Sequence, residues 1–169
     1  MDGIQLEIMW SNMISIVSEQ ARALQRTAFS PIVREAGDLA TALFDAEALM
    51  VAQAITGTPG HINSLGSAAR NLIKVIPPEQ LVPGDVLITN DPWLSAGHFF
   101  DITVLTPIFR GDKLIGYCGS TIHHTDIGGY GVGAGARDIH EEGLWIPVMK
   151  LYEGGRPNQT LHDIIRRNV

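Results

Sequence analysis

Apolar and polar positions alternate along this chain in two different rhythms. Ile4, Ile8, Ile14, Val17, Ala21 and Leu24 recur mostly at intervals of three and four, with Glu7, Glu19, Gln20 and Arg22 between them. That period predicts one long amphipathic helix over residues 4–28. Ser30-Pro31 ends it, because the residue before a proline is pushed out of the helical region. Residues 32–38 read as a connector that carries Arg34, Glu35 and Asp38 inward. Leu39–Phe44 and Leu49–Gln53 follow as two short strands around an Asp45-Ala46-Glu47-Ala48 turn.

A loop at 56–60 precedes a second helix over 63–75, with Leu65, Ala68, Leu72 and Ile76 on one face and Pro77-Pro78 as its stop. Pro83-Gly84-Asp85 turns the chain into Val86–Thr89, a short apolar run expected as a buried strand. Two longer strands, 102–109 and 113–122, flank Gly111-Asp112, a pair with hairpin chemistry. A last strand is expected at 144–148. Leu161, Ile164 and Ile165 open an amphipathic pattern with no C-cap after Val169, which reads as a chain that is cut or that continues in a separate subunit. The fold class is α/β in the α+β sense. One long N-terminal helix packs on a mixed, largely antiparallel sheet, and residues 1–169 form a single domain.

Composition narrows the partners. A net charge of −6 and a pI near 5.4, without a basic patch beyond Arg166-Arg167, argue against nucleic acid and anionic membranes. The charged fraction of 18% is low enough to suggest that other protein covers much of the surface. Cys118 is the only cysteine, so no internal disulfide forms, and a lone thiol in a strand fits a reducing compartment. Neither a signal peptide nor a membrane span is expected, which makes the cytoplasm the default.

The chemistry concentrates between His98 and Gly129. G-H-F-F-D at 97–101 opens one strand of the long hairpin, and H-H-T-D-I-G-G at 123–129 follows the other. Antiparallel pairing brings these two ends together, so His98, Asp101, His123, His124 and Asp126 converge. Two imidazoles with one or two carboxylates form a borderline-to-hard ligand set suited to zinc, manganese or iron. The expected place is one edge of the sheet. Neighbouring strand residues point to opposite faces, so only one of His123 and His124 serves as ligand. A strict two-residue turn puts Asp101 with His124, and a three-residue loop puts it with His123. The spacing leaves both open.

Other candidates weigh less. Five glycines within residues 128–135 make a mobile loop that carries Tyr130, without the lysine of a phosphate-binding loop. His61 and His140 fall in expected loops as surface or lining residues, and Trp93 either walls a pocket or anchors its loop to the core. Cys118 reads as a structural thiol rather than a nucleophile.

These segments resemble the hydantoinase B/oxoprolinase family. The resemblance is carried by A-L-Q-R-T-A-F-S-P at 23–31, D-L-A-T-A-L-F-D at 38–45 and P-G-D-V-L-I-T-N-D-P at 83–92. G-H-F-F-D, H-H-T-D-I-G-G and E-G-L-W-I-P-V-M-K-L-Y at 142–152 complete it in order along the chain. The resemblance implies that the chain is the N-terminal part of a larger B-type subunit. Asp38, His98, Asp101 and His123 would be its metal ligands, with His124 and Asp126 as weaker candidates for proton handling.

It further implies an ATP-dependent cyclic-amide hydrolase, in which a hydantoinase A-type partner binds ATP and phosphorylates the substrate. The alternatives are a subunit of an acetone- or acetophenone-type carboxylase acting on a ketone, or a non-catalytic interaction subunit. Leu94-Ser95-Ala96 and Phe99-Phe100 depart from the family pattern around the site, which points to a more apolar pocket mouth.

Overall fold

The computed structural model describes residues 2–169. Helix α1 (Gly3–Thr27) begins with a capping box, in which the Asp2 carboxylate accepts from the Gln5 N–H and the Gln5 side chain accepts from the Asp2 N–H. That exchange satisfies two backbone donors at a helix end that have no intrahelical partner. The predicted apolar stripe is buried only in the second half, at Val17 and Ala21. Ile4 and Ile8 remain 73% and 56% exposed.

A single-turn helix α2 (Pro31–Arg34) leads into strand β1 (Leu39–Phe44), paired with β2 (Met50–Gln53). Helix α3 spans Pro59–Val75 and so starts four residues before its predicted beginning. Proline at its first position explains the early start, since the fixed φ suits the first turn and the missing N–H needs no partner there. Strands β3 (Val86–Thr89), β4 (Asp101–Arg110) and β5 (Lys113–His123) match their predicted places. The expected strand at 144–148 is instead an extended segment, and the sixth strand, β6, is Met149–Glu153. Pro147 has no N–H for a ladder, and Ile146 gives its N–H to the Asn90 side chain. A short β7 (Arg156–Pro157) and helix α4 (Gln159–Asn168) complete the order.

The seven strands form one sheet in the order β2-β1-β5-β4-β3-β6-β7. All pairings between them are antiparallel, so the sheet is not mixed as predicted. Helices cover both faces. Against α3, Ala40, Ala42, Phe44, Leu87, Leu105 and Tyr117 pack with Leu65, Ala68 and Leu72. On the other face Leu39 and Ala52 meet Val17 and Ala21 of α1, while Ile88 meets Leu161 of α4. Gly119 lets α3 approach closely, since a Cβ there would lie 3.1–3.4 Å from Phe44, Leu105 and Leu65 side chains. The alternation along each strand therefore fixes which residues share the α3 face.

Candidate metal centre

Three neighbouring strands deliver polar side chains to one end of the α3 face. Asp101 opens β4 and lies directly opposite His123, the last residue of β5. Asp38 immediately precedes β1, and its carbonyl accepts the His123 N–H, which extends the ladder by one step. Asp38, His123 and Asp101 thus form one transverse row across β1, β5 and β4. The row lies at the end of the central strands, not along an outer strand, which corrects the expected placement at a sheet edge. Thr103 and Thr121 form the next row inward, with their hydroxyls 2.8 Å apart.

The open register is decided by a bulge. Gly111-Asp112 makes the strict two-residue turn, pairing Arg110 with Lys113. By itself that turn would put Asp101 opposite Ile122 and on the face of His124. Further along, Phe109 pairs with Leu114 but Ile108 pairs with Gly116, so Ile115 is an extra residue on β5. A β-bulge of one residue shifts every later pair by one and exchanges the faces. His123 therefore joins Asp101.

Oδ1 of Asp101 lies 3.0 Å from Nδ1 of His123, and Oδ2 lies 2.9 Å from Nε2 of His98. One donor atom from each of these three residues falls within 4.8 Å of the others. His98 is held over the row by its loop. Phe99 donates its N–H to the Glu142 carboxylate, and its carbonyl accepts from the Asn90 amide. Asn90 also donates to the Leu144 carbonyl, so one buried side chain ties the loop to the 144–146 segment. Gly97 takes a left-handed φ of 98° at the entry to His98, a conformation that a glycine adopts without strain. Phe100 stacks on His123 at 5.7 Å and packs against its ring.

His61, expected in a loop, sits in the first turn of α3 and is only 8% exposed. Its Nε2 is 2.8 Å from Asp38 Oδ1, and its Nδ1 is 3.4 Å from Asp101 Oδ2. Sequence reasoning missed it. The Thr58-Pro59 pair, a cap residue before a first-turn proline, was the available signal for an earlier helix start. Its direction toward the row is set by packing alone.

His124 falls beyond β5 on the opposite face. With Asp126 and Ile122 it lines a cavity of about 590 Å³ bounded by Leu24, Ala28 and Val33. The Asp126 carboxylate accepts the Gly128 N–H in a local turn. Tyr130 and Trp93 are exposed, and Trp93 lies 5.8 Å from the Trp145 ring. His140 stands 5.7 Å from Trp145 in the same aromatic group.

Electrostatics follow from this geometry. Burial pushes the Asp101 carboxyl up, but His123 and His98 at contact distance and the charge of His61 outweigh it and hold the group at about 2. Contact with Asp101 raises His98 despite its partial burial. Burial, and then the neighbouring His123, lower His124.

The residues present fit a divalent cation. Asp101 Oδ2 is a buried atom without an aligned hydrogen bond, even though His98 Nε2 lies 2.9 Å from it. Leaving such a group unsatisfied costs about 1–3 kcal/mol. Donors that sit close together without pointing at one another suit a shared ion, whose ligands at about 2 Å lie no more than about 4 Å apart.

The family model described as hydantoinase B/oxoprolinase matches residues 2–169. The chain belongs to that family. Among hydantoinase B/oxoprolinase relatives, it is 36% identical to 5-oxoprolinase 1 of Arabidopsis thaliana, over 91% of this chain and 12% of that protein. It is 28% identical to a protein of Pseudomonas sp. strain NS671 assigned as the B component of a D-/L-hydantoinase, over 99% of this chain and 29% of that one. The ATP-dependent caprolactamase from Pseudomonas jessenii superposes with a TM-score of 0.83 at 29% identity, covering 100% of this chain and 29% of that one. Acetone carboxylase in a nucleotide-free structure superposes at 0.86 with 24% identity, over 98% of this chain and 22% of that chain, which shows a shared fold. The chain thus spans between about an eighth and a third of these relatives. No helix among the described residues is long and apolar enough to cross a membrane.

Proposed function

We propose that this chain is the metal-holding part of an ATP-dependent cyclic-amide hydrolase. It would work within a larger B-type subunit, on a substrate phosphorylated by an A-type partner that binds ATP. The observation that carries the reading is the convergence of His98, Asp101 and His123 beside Asp38 at one end of three central strands. Support for the substrate class comes from relatives named for 5-oxoproline, hydantoin and caprolactam, all of which are cyclic amides.

In this reading Asp38, His98, Asp101 and His123 hold zinc, manganese or iron. A divalent ion there would supply Lewis acidity toward an oxygen of the activated amide or toward an attacking water. The protein's own contribution is order. Asp101, buried at 1% exposure and held near a pKa of 2, keeps its charge throughout the working pH range. His98 is the most exposed of the three clustered residues and marks the side from which substrate arrives. His124 and Asp126 handle protons from the adjoining cavity, which His123 also borders.

The test combines the longer subunit with its ATP-binding partner. ATP-dependent opening of a lactam such as 5-oxoproline or hydantoin, lost in Asp101→Ala and His98→Ala together with about one equivalent of bound metal, supports the reading. Lactam opening without ATP, or full activity in both variants, overturns it. A bicarbonate requirement with a carboxylated ketone as product assigns the site to the carboxylase branch instead.

A further inference from the structure

His61 is assigned no role by spacing or by family resemblance, yet it spans the two carboxylates of the row. It arrives from the opposite layer. Pro59 starts α3, Leu65, Ala68 and Leu72 seat that helix on the sheet, and its first turn is left lying over the strand ends. The helix makes a second contact at the same point. Thr58, its cap residue, donates its hydroxyl to Asp38 Oδ1 at 2.7 Å, the same oxygen that His61 Nε2 contacts at 2.8 Å without an aligned hydrogen bond. Oδ2 of Asp38 carries neither contact and lies 3.9 Å from His123 Nδ1.

We propose that His61 is a positioning residue of the metal centre. Thr58 hydrogen-bonds Oδ1 of Asp38 and His61 packs against the same oxygen, which leaves Oδ2 for the point on which His98, Asp101 and His123 converge. The proposal rests on the reading that this cluster binds a metal. The need for such a holder follows from burial. Asp101 is enclosed at 1% side-chain exposure, whereas the Asp38 side chain is 27% exposed and sits at the mouth of a strand. A carboxylate free to rotate loses conformational entropy on binding an ion, and a fixed one has lost it already. His61 is not itself a ligand in this account. Its Nε2 faces an oxygen that Thr58 already engages.

Cobalt(II) titration of the chain, read by visible absorption and by competition with a chelator, tests this without any activity assay. His61→Ala should weaken cobalt binding about 10- to 100-fold while leaving the position and intensity of the absorption bands unchanged. His61→Gln, which retains an amide N–H, should recover most of the affinity, and Thr58→Val should show a smaller loss. In an Asp38→Ala background, His61→Ala should cost nothing further, because the group it positions is gone. Wild-type affinity in His61→Ala overturns the proposal. So does a band shift that reports a lost nitrogen ligand, or an undiminished effect without Asp38. An unsubstituted chain that binds no cobalt overturns the metal reading itself. Far-UV circular dichroism melts identify any unfolded variant, for which His61→Gln and Thr58→Val carry the decision.

Discussion

Asp101 and His123 face each other across the β4–β5 ladder with Oδ1 and Nδ1 3.0 Å apart, and they do so only because Ile115 is an extra residue on β5. The turn at Gly111-Asp112 would otherwise place Ile122 opposite Asp101. One surplus backbone residue, about 27 Å away along a strand that rises about 3.4 Å per residue, selects the imidazole that meets the carboxylate.

Ile115 is 48% exposed, so its side chain contributes little while its place in the chain contributes much. Ile115→Ala should change stability by no more than about 0.5 kcal/mol. Deleting Ile115 should lower the melting temperature sharply, since the slip turns Tyr117 and Gly119 away from the α3 core. Thermal melts of both variants decide this, and comparable melting points would refute the role given to the bulge.

Asp101 is the charge around which three imidazoles gather, and its loss should be felt first in metal content. Asp101→Asn and His123→Ala are each expected to reduce affinity for zinc or manganese by at least about 100-fold. Equilibrium dialysis with metal analysis measures it. His124→Ala, on the opposite face, should retain metal near the level of the unsubstituted chain.

Asn90 joins the His98 loop to the 144–146 segment through three hydrogen bonds made by one fully buried amide. Asn90→Ala should cost about 3 kcal/mol and lower the melting temperature by roughly 6–12 °C. Because Phe99 follows His98 directly, the same variant should also bind metal more weakly. A melting point shift below a couple of degrees would show that the loop is held by other means.

Asp85, fully buried, provides the pH dependence. Burial alone would raise its pKa, but Lys150 Nζ at 2.7 Å and the N–H groups of Gly154 and Val82 bring it below the usual 3.8. A carboxyl whose folded pKa is depressed stabilises the fold above its unfolded pKa, and that stability drains away as pH falls through the lower folded value. Denaturation by urea should therefore show stability falling from about pH 4 downward. Asp85→Asn should be less stable at pH 7 and show a flatter acid limb, and an unchanged limb would refute the assignment.

Much of this architecture is local and therefore legible. The helix period from Ile14 to Leu24, the strands at 39–44 and 86–89 and the hairpin at Gly111-Asp112 follow from neighbouring residues alone, and the structure places them where their patterns predict. The same local logic brought His98, Asp101 and His123-His124 to one end of the long hairpin. It failed at residues 144–148, where Pro147 and the Asn90 side chain replace a ladder with a clamp from 56 positions away.

What the sequence determined by itself was the set of elements, the hairpin that gathers the ligands, and a family membership written in motifs along most of the chain. Tertiary structure alone decided which histidine faces Asp101, that Asp38 extends the row from another strand, and that His61 enters from α3. Strand rhythm has a period of two, so one bulged residue inverts every face beyond it, and no residue near His123 records that distant insertion. His61 reaches the carboxylates only because α3 seats its apolar stripe on the sheet, and that docking depends on residues far apart in the chain.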